Sequence, residues 1–196
     1  MSRALELDDI MDLRAYERAR DDVRREVMAL KRRRRVSVGP IVSLVFENRE
    51  TVRFQVHEMV RAERIVSDDA VLDELRAYNP LIPEPGELSA TLFIELTDEE
   101  QLRTWLPSLV GIERAVVLEL AGGSTIRSVP EAGHESQLTR AEVTPAVHYV
   151  RWTLSPAQVD ELAGGPVRLA VDHPAYRHGV ELPAETVAEL LADLRP

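Results

Sequence analysis

The chain has 196 residues, a mass of 22.0 kDa, no cysteine and a formal net charge of −10. The absence of cysteine excludes disulfides, thiolate catalysis and cysteine-ligated zinc or iron–sulfur centres. Its 44% hydrophobic and 30% charged content is that of a folded chain long enough to bury a sizeable core.

The charge is uneven. Met1 to Ile65 holds 15 Arg or Lys against 12 Asp or Glu, and the other 131 residues hold 9 against 22. Met1–Asp12 carries four acidic residues and no apolar core of a signal peptide. The longest near-continuous apolar run, Ile41–Phe46, is too short to span a bilayer. The expectation is a soluble cytoplasmic protein.

In chain order, Leu13, Tyr16, Ala19, Val23, Val27 and Leu30 recur at steps of three and four, with Asp12 as N-cap. This helix closes on Lys31-Arg32-Arg33-Arg34-Arg35, which reads either as cations complementing the helix macrodipole or as a polyanion or nucleic-acid patch. No aromatic residue is interleaved with the run, and the acidic whole disfavours nucleic acid. Val36–Phe46 predicts one strand bent at Gly39-Pro40.

A second helix is predicted over residues 48–65, with a Val52–Val56–Met59–Val60 seam and Phe54 and Ile65 opposite, hence sandwiched. Arg53, His57, Arg61 and Arg64 line one face and are anion-binding candidates, or a solvated face pairing with Glu50. Glu63 falls on the apolar seam, where a carboxylate needs an arginine or a metal. Glu58 and His57 lie about 100° apart around the helix and do not readily share one ion. A third helix follows over 68–78, then an extended proline-rich connection to Gly86.

Strands are predicted at 88–96, 114–120, 124–129, 147–154, 167–171 and 179–182. Helices are predicted at about 98–109, 156–163 and 184–194, and a polar loop at 130–139. Thr97-Asp-Glu-Glu100 and Ser155-Pro-Ala-Gln158 read as capping boxes that follow a strand and precede a helix and another strand. The order repeats, as two related β-α-β units, by duplication or by use of a common connection. The predicted class is α+β. A mostly antiparallel sheet is built from these units, with a helical layer and one bent strand (1–86) packed on a sheet-rich part (87–196) in one compact domain.

No Walker loop, nucleophile elbow, dinucleotide fingerprint or His-Glu-x-x-His motif is present. Gly122-Gly123-Ser124-Thr125 lies between two strands and reads as a hairpin turn and not a phosphate cradle. Asp172, His173, Tyr176 and His178 end a predicted strand. Asp172, His173 and His178 are weak metal-ligand candidates, and the segment otherwise reads as a structural corner. With Glu58 and Glu63, residues Asp172, His173 and Tyr176 define a candidate polar cleft if helix 48–65 faces the corner.

Several short stretches carry a resemblance: Val38-Gly39, Phe46-Glu-Asn-Arg49, Gln55 with Glu58-Met59, and Arg61-Ala-Glu-Arg-Ile65. To these are added Tyr78-Asn79 with Leu81-Ile-Pro83, Leu88 with Ala90-Thr-Leu92, and Asp172-His-Pro-Ala-Tyr176. Together they resemble the bacterial and archaeal family known as domain of unknown function 3501, over nearly the whole chain. The resemblance implies no catalytic residue or cofactor. It implies a setting in redox or oxidative-stress metabolism, beside rubrerythrin-like and heterodisulfide-reductase-like iron–sulfur proteins. A di-iron site needs Glu-x-x-His pairs, and only Glu131 with His134 has that spacing. The expectation is an accessory or binding protein that docks on a redox partner and holds no iron–sulfur cluster. The rivals are a metal- or anion-dependent enzyme or sensor between helix 48–65 and the 172–178 corner, and a nucleic-acid binder through residues 31–35.

Overall fold

Asp12 opens the first helix as its spacing predicts: its carboxylate accepts the Arg14 and Ala15 N–H groups, both at 2.9 Å. In the computed structural model, which describes residues 3–131, 133 and 143–195, this helix is α1, Leu13–Arg34. The next two strands are β1 (Arg35–Ser37) and β2 (Val42–Glu47). They pair antiparallel around Gly39-Pro40, so the predicted bent strand is a hairpin. Gly39 sits at φ +76°, a left-handed conformation that reverses the chain where a bend alone was expected.

Helix α2 spans Arg49–Ala62 and starts on a reciprocal cap between Asn48 and Thr51. It ends earlier than predicted. Arg64 takes φ 55°, the Glu63 N–H donates to the Met59 carbonyl, and the Ile65 N–H donates to the Val60 carbonyl. Those bonds satisfy the last carbonyls of the helix. Glu63 is therefore an exposed C-cap residue and not a buried carboxylate on the seam. Helix α3 spans Asp68–Tyr78, the bounds read from the sequence, and begins on a Ser67 cap.

The remaining elements are β3 (Glu87–Ile94), α4 (Glu99–Ser108), β4 (Val116–Leu120), β5 (Thr125–Arg127), β6 (Val129–Pro130), β7 (Val147–Thr153), α5 (Pro156–Gly164), β8 (Val167–His173), β9 (Tyr176–Glu181) and α6 (Ala184–Leu194). Most of the predicted 130–139 loop lies outside the described residues. The class is α+β, and the single expected sheet is two antiparallel sheets, ordered β1-β2-β3-β7-β6 and β5-β4-β8-β9. The repeated β-α-β units each begin in the larger sheet and finish in the smaller: β3–α4–β4 and β7–α5–β8. The Ser155–Gln158 capping box forms as expected. The other helix is capped by Asp98 in place of Thr97, with the Gln101 N–H at 2.8 Å from its carboxylate. Gly122-Gly123 makes the β4–β5 hairpin turn. The Glu161 carboxylate fills it, accepting the Ser124 N–H at 3.0 Å.

The two sheets enclose the main core, in which Leu44, Phe46, Leu92 and Trp152 of the larger sheet meet Leu118 and Leu169 of the smaller. A second apolar cluster, including Val52, Val56, Val60, Val71 and Leu75, lies under the helical layer. All six residues of β2 are buried, because alternate side chains enter the core and the space beneath α1 and α2. No described helix is long and apolar enough to cross a membrane.

Arg34 joins these layers. Its guanidinium is fully buried and donates to Glu189 and Asp193 of α6, at 3.3 and 2.6 Å, and to the Phe46 carbonyl at 3.2 Å. Burial pushes the Asp193 carboxyl up, and Arg34 pulls it back toward ionisation. Removing one partner of such a buried pair strands the other charge. Arg34→Leu is expected to cost about 3–5 kcal/mol of unfolding free energy. Urea titration checks this, and a loss below about 1 kcal/mol would deny Arg34 that role.

Candidate functional site

Helix α2 packs its polar residues against α1. Glu58 accepts two hydrogen bonds from Arg20, both at 2.8 Å, and one from the Tyr16 hydroxyl at 2.7 Å. The Arg20 guanidinium, helped by the Tyr16 hydroxyl and opposed by burial, holds the Glu58 carboxyl down at about 2. Burial and the Glu58 bond push the Tyr16 phenol well above its ordinary value. His57 stacks on Tyr16 with ring centroids 4.5 Å apart and 8° between planes, and its Nε2 accepts the Met11 N–H at 3.0 Å. Burial first, then the Arg53 charge, pushes His57 down to about 4, so the ring is neutral at neutral pH.

The predicted anion-binding stripe is thereby accounted for. Arg53 pairs with Glu50 at 2.5 Å, Arg61 with Glu17 at 2.8 Å, and Arg64 lies beyond the helix on an exposed turn. The Arg61–Glu17 pair joins the Glu58 contacts in clamping α1 to α2, whereas Arg53–Glu50 lies within α2.

The 172–178 corner is a second clamp. Tyr176 is buried; its hydroxyl donates to the Val38 carbonyl at 2.7 Å and accepts the Ile41 N–H at 3.3 Å, completing the β1–β2 turn. A Cβ on Gly39 would collide with that hydroxyl, which is why glycine stands there. His173 turns inward to the Val110 carbonyl at 3.1 Å, whereas Asp172 points outward to Arg127 at 3.0 Å. His178 rests against the Tyr176 ring. Asp172 and His173 thus occupy opposite faces of β8. Among the described residues, no group of three or more His, Asp or Glu is placed to hold a metal ion. Of the Glu131–His134 pair, His134 lies outside the described residues.

Helix α2 packs beneath the helical layer, and Tyr176 belongs to the core between the sheets. The larger sheet separates them. Glu58 and Glu63 therefore do not face Asp172, His173 or Tyr176 across one cleft. Elsewhere, Thr144, His148 and Glu113 approach a nucleophile–base–acid order. The Thr144 hydroxyl is 2.9 Å from His148 Nε2, and Glu113 is 3.8 Å from Nδ1. All three are buried, and burial pushes His148 down despite Glu113.

One opening that the fold creates lies between α1, α2 and the outer face of the larger sheet. It is a cavity of about 550 Å³. Strand register builds its floor: Arg35, Val45, Thr91 and Tyr149 stand side by side across β1, β2, β3 and β7. Glu47, two residues from Val45 and on the same face, is buried and accepts hydrogen bonds from Thr51 at 2.5 Å and Thr91 at 2.6 Å. Gln55 and Val52 of α2 close one side, and Met28, Lys31 and Arg32 of α1 form the mouth. Burial, then the neighbouring Tyr78 and Glu47, push the Tyr149 phenol up, so it keeps its proton.

The basic run reaches this cavity in part only. Arg33 and Arg34 share Glu189, and Arg35 pairs with Glu95 at 2.8 Å. Lys31 sits over the Phe54 ring, 5.6 Å from its centroid. Neither Lys31 nor Arg32 has a carboxylate partner among the described residues. Glu47, Thr91 and Tyr149 were not singled out from the sequence as site residues. The available signal was polar residues at alternate positions, Ser43 and Glu47 in β2 and Ser89 and Thr91 in β3, within otherwise apolar strands.

The fold and this cavity define a two-sheet α+β protein with a small-molecule-sized space under a helical roof. The chain belongs to the family described as protein of unknown function, DUF3501, which it matches over residues 4–194. It is similar to a novel protein of unknown function from Burkholderia pseudomallei K96243, known from a crystal structure. The identity is 37%, the match covers 97% of this chain and 99% of that one, and the TM-score is 0.90. No curated protein matches the chain. The stretches that carry the resemblance converge on both features: Glu47, Gln55, Leu81 and Thr91 line the cavity, and Val38, Gly39 and Tyr176 form the corner.

Two measurements test these assignments. Tyr176→Phe removes the partner of the Ile41 N–H and the donor to Val38, and is expected to cost about 1–3 kcal/mol in urea unfolding. Between pH 6.5 and about 4 the unfolded chain binds a proton at His57 that the folded chain refuses, so stability falls as pH falls through that window. His57→Gln is expected to flatten this part of the stability profile. An unchanged slope would show that other groups carry it.

Proposed function

We propose that this protein binds a small anionic molecule with an apolar body in the cavity between α1, α2 and the larger sheet, as an accessory component of redox metabolism and not as its redox centre. The observation that carries the reading is the pair of cations, Lys31 and Arg32, left without carboxylate partners among the described residues at the mouth of a cavity of about 550 Å³. That volume is within the range of small-molecule sites. Apolar walls supply area, and a few placed charges supply orientation, which is the usual division of labour in such sites.

The redox setting is supported by the resemblance described above; in that setting a cysteine-free chain leaves thiol and cluster chemistry to a rubrerythrin-like or heterodisulfide-reductase-like partner. A soluble cytoplasmic location fits the same reading. A nucleic-acid role draws less support, since Arg33, Arg34 and Arg35 spend their charge on Glu189, Asp193 and Glu95.

Isothermal titration with sodium octanoate tests the site. Saturable binding is expected, weakened at least tenfold in a Lys31→Gln, Arg32→Gln double variant whose urea stability stays near that of the parent. Binding that ignores both substitutions would place the ligand elsewhere. Affinity purification from the native host that recovers no rubrerythrin-like or iron–sulfur protein would count against the accessory role.

A further inference from the structure

Glu47 is the group in the cavity that an anionic ligand alone does not explain. Its side chain is buried, and its carboxylate oxygens meet the hydroxyls of Thr51 and Thr91. No Arg, Lys or His of the described residues forms an ion pair with it. Arg34, the nearest buried cation along the chain, turns its guanidinium to the Glu47 backbone carbonyl at 3.4 Å and spends its charge on α6. A buried carboxylate without a countercharge is costly. Its oxygens also have more lone pairs than two hydroxyl donors fill.

We propose that Glu47 makes the cavity selective for a zwitterion: a ligand whose anionic group meets Lys31 and Arg32 and whose ammonium meets Glu47, with an apolar spacer between. The inference rests on reading the cavity as an anion site, and it adds the second recognition point. Exposure sets the direction, because Arg32 is exposed, Lys31 half-buried and Glu47 buried. Val45, Val52 and Val147 line the same cavity; their side chains offer no hydrogen bond and suit methylene groups.

Charge also excludes the alternatives. A plain amine must pass Lys31, Arg32 and Arg35 to reach Glu47. A dianion that satisfies the mouth carries its second charge against the Glu47 carboxylate. A simple monoanion fills the mouth and desolvates Glu47 further, with nothing gained at the floor. Only a molecule bearing both signs complements both ends. Thr51 and Thr91 hold the acceptor in place, so binding requires no rearrangement of the carboxylate.

The test compares ω-amino acids from 4-aminobutanoate to 8-aminooctanoate with the unsubstituted acids of equal length, by titration calorimetry at pH 7.5. For at least one length the amino acid is expected to bind ten or more times more tightly than its partner. Glu47→Gln, which keeps an oxygen for a threonine hydroxyl, is expected to abolish that preference and to leave the unsubstituted acid bound at least as tightly as in the unaltered protein. If unsubstituted acids bind and no amino acid of any length is preferred, the zwitterion inference is overturned and the anion site stands. A preference that persists in Glu47→Gln also overturns it. If neither series binds, the anion site falls and this inference with it. Should Glu47→Gln fail to fold, the ratio of affinities in the unaltered protein decides the question alone.

Discussion

A guanidinium buried to zero exposure can persist only where all its charge and donors are met, and Arg34 meets that condition with groups from two distant parts of the chain. Glu189 and Asp193 belong to the last helix, the Phe46 carbonyl belongs to the second strand, and Arg34 itself ends the first helix. The position of α1 over the sheet is thereby set at its C-terminal end. The rest follows from that placement. Arg33 is drawn to the same helix through Glu189, and the Thr186 hydroxyl caps the Arg33 carbonyl at 2.7 Å. Lys31 and Arg32, three and two residues before Arg34, form no ion pair with α6 and line the cavity. The clamp from Tyr16 and Arg20 to Glu58 holds the other end of the same helix pair. The cavity is the gap between these two fastenings.

The two faces of the larger sheet serve different ends. Leu44, Phe46, Leu88, Leu92 and Trp152 face the smaller sheet and make a dry core. On the other side, Ser43, Glu47, Ser89 and Thr91 are buried and polar. A face that only had to pack against helices gains nothing from four buried polar side chains, since each must find a partner. Each does: Ser43 donates to Glu95, Ser89 to the Leu81 carbonyl, and Thr91 to Glu47. A polar face kept satisfied at this expense is the physical mark of a surface with a use beyond packing.

Local rules made most of the elements legible, and distant contacts decided the rest. Asp12 and Ser155 announced their helices because a cap is a matter of three or four adjacent residues. Gly39-Pro40 read as a bend because the residue that converts it to a tight hairpin, Tyr176, lies far along the chain. Glu63 was misplaced because Arg64, which ends α2 at positive φ, is not a glycine and carries no stop signal. The repeated β-α-β order was visible, but alternation along a strand shows only that it has two faces and never which sheet it joins. The site was half visible for the same reason. The basic run stands out in one dimension, whereas Glu47, Thr91 and Tyr149 become neighbours only through strand register.

The Tyr176 hydroxyl bonds to a carbonyl 138 residues before it, and the Arg34 guanidinium to a carboxylate 159 residues after it. On the ribosome, the first hairpin and the end of the first helix therefore emerge long before the groups that finish them. At ordinary elongation rates the wait is on the order of ten seconds. During it the Arg34 charge must stay in water, because its countercharges do not yet exist. The helical layer cannot settle on its sheet, and the cavity has neither a fixed roof nor a complete floor. Completion comes with the last helix, so the chain acquires its binding surface in one late step and not by gradual growth from the amino terminus.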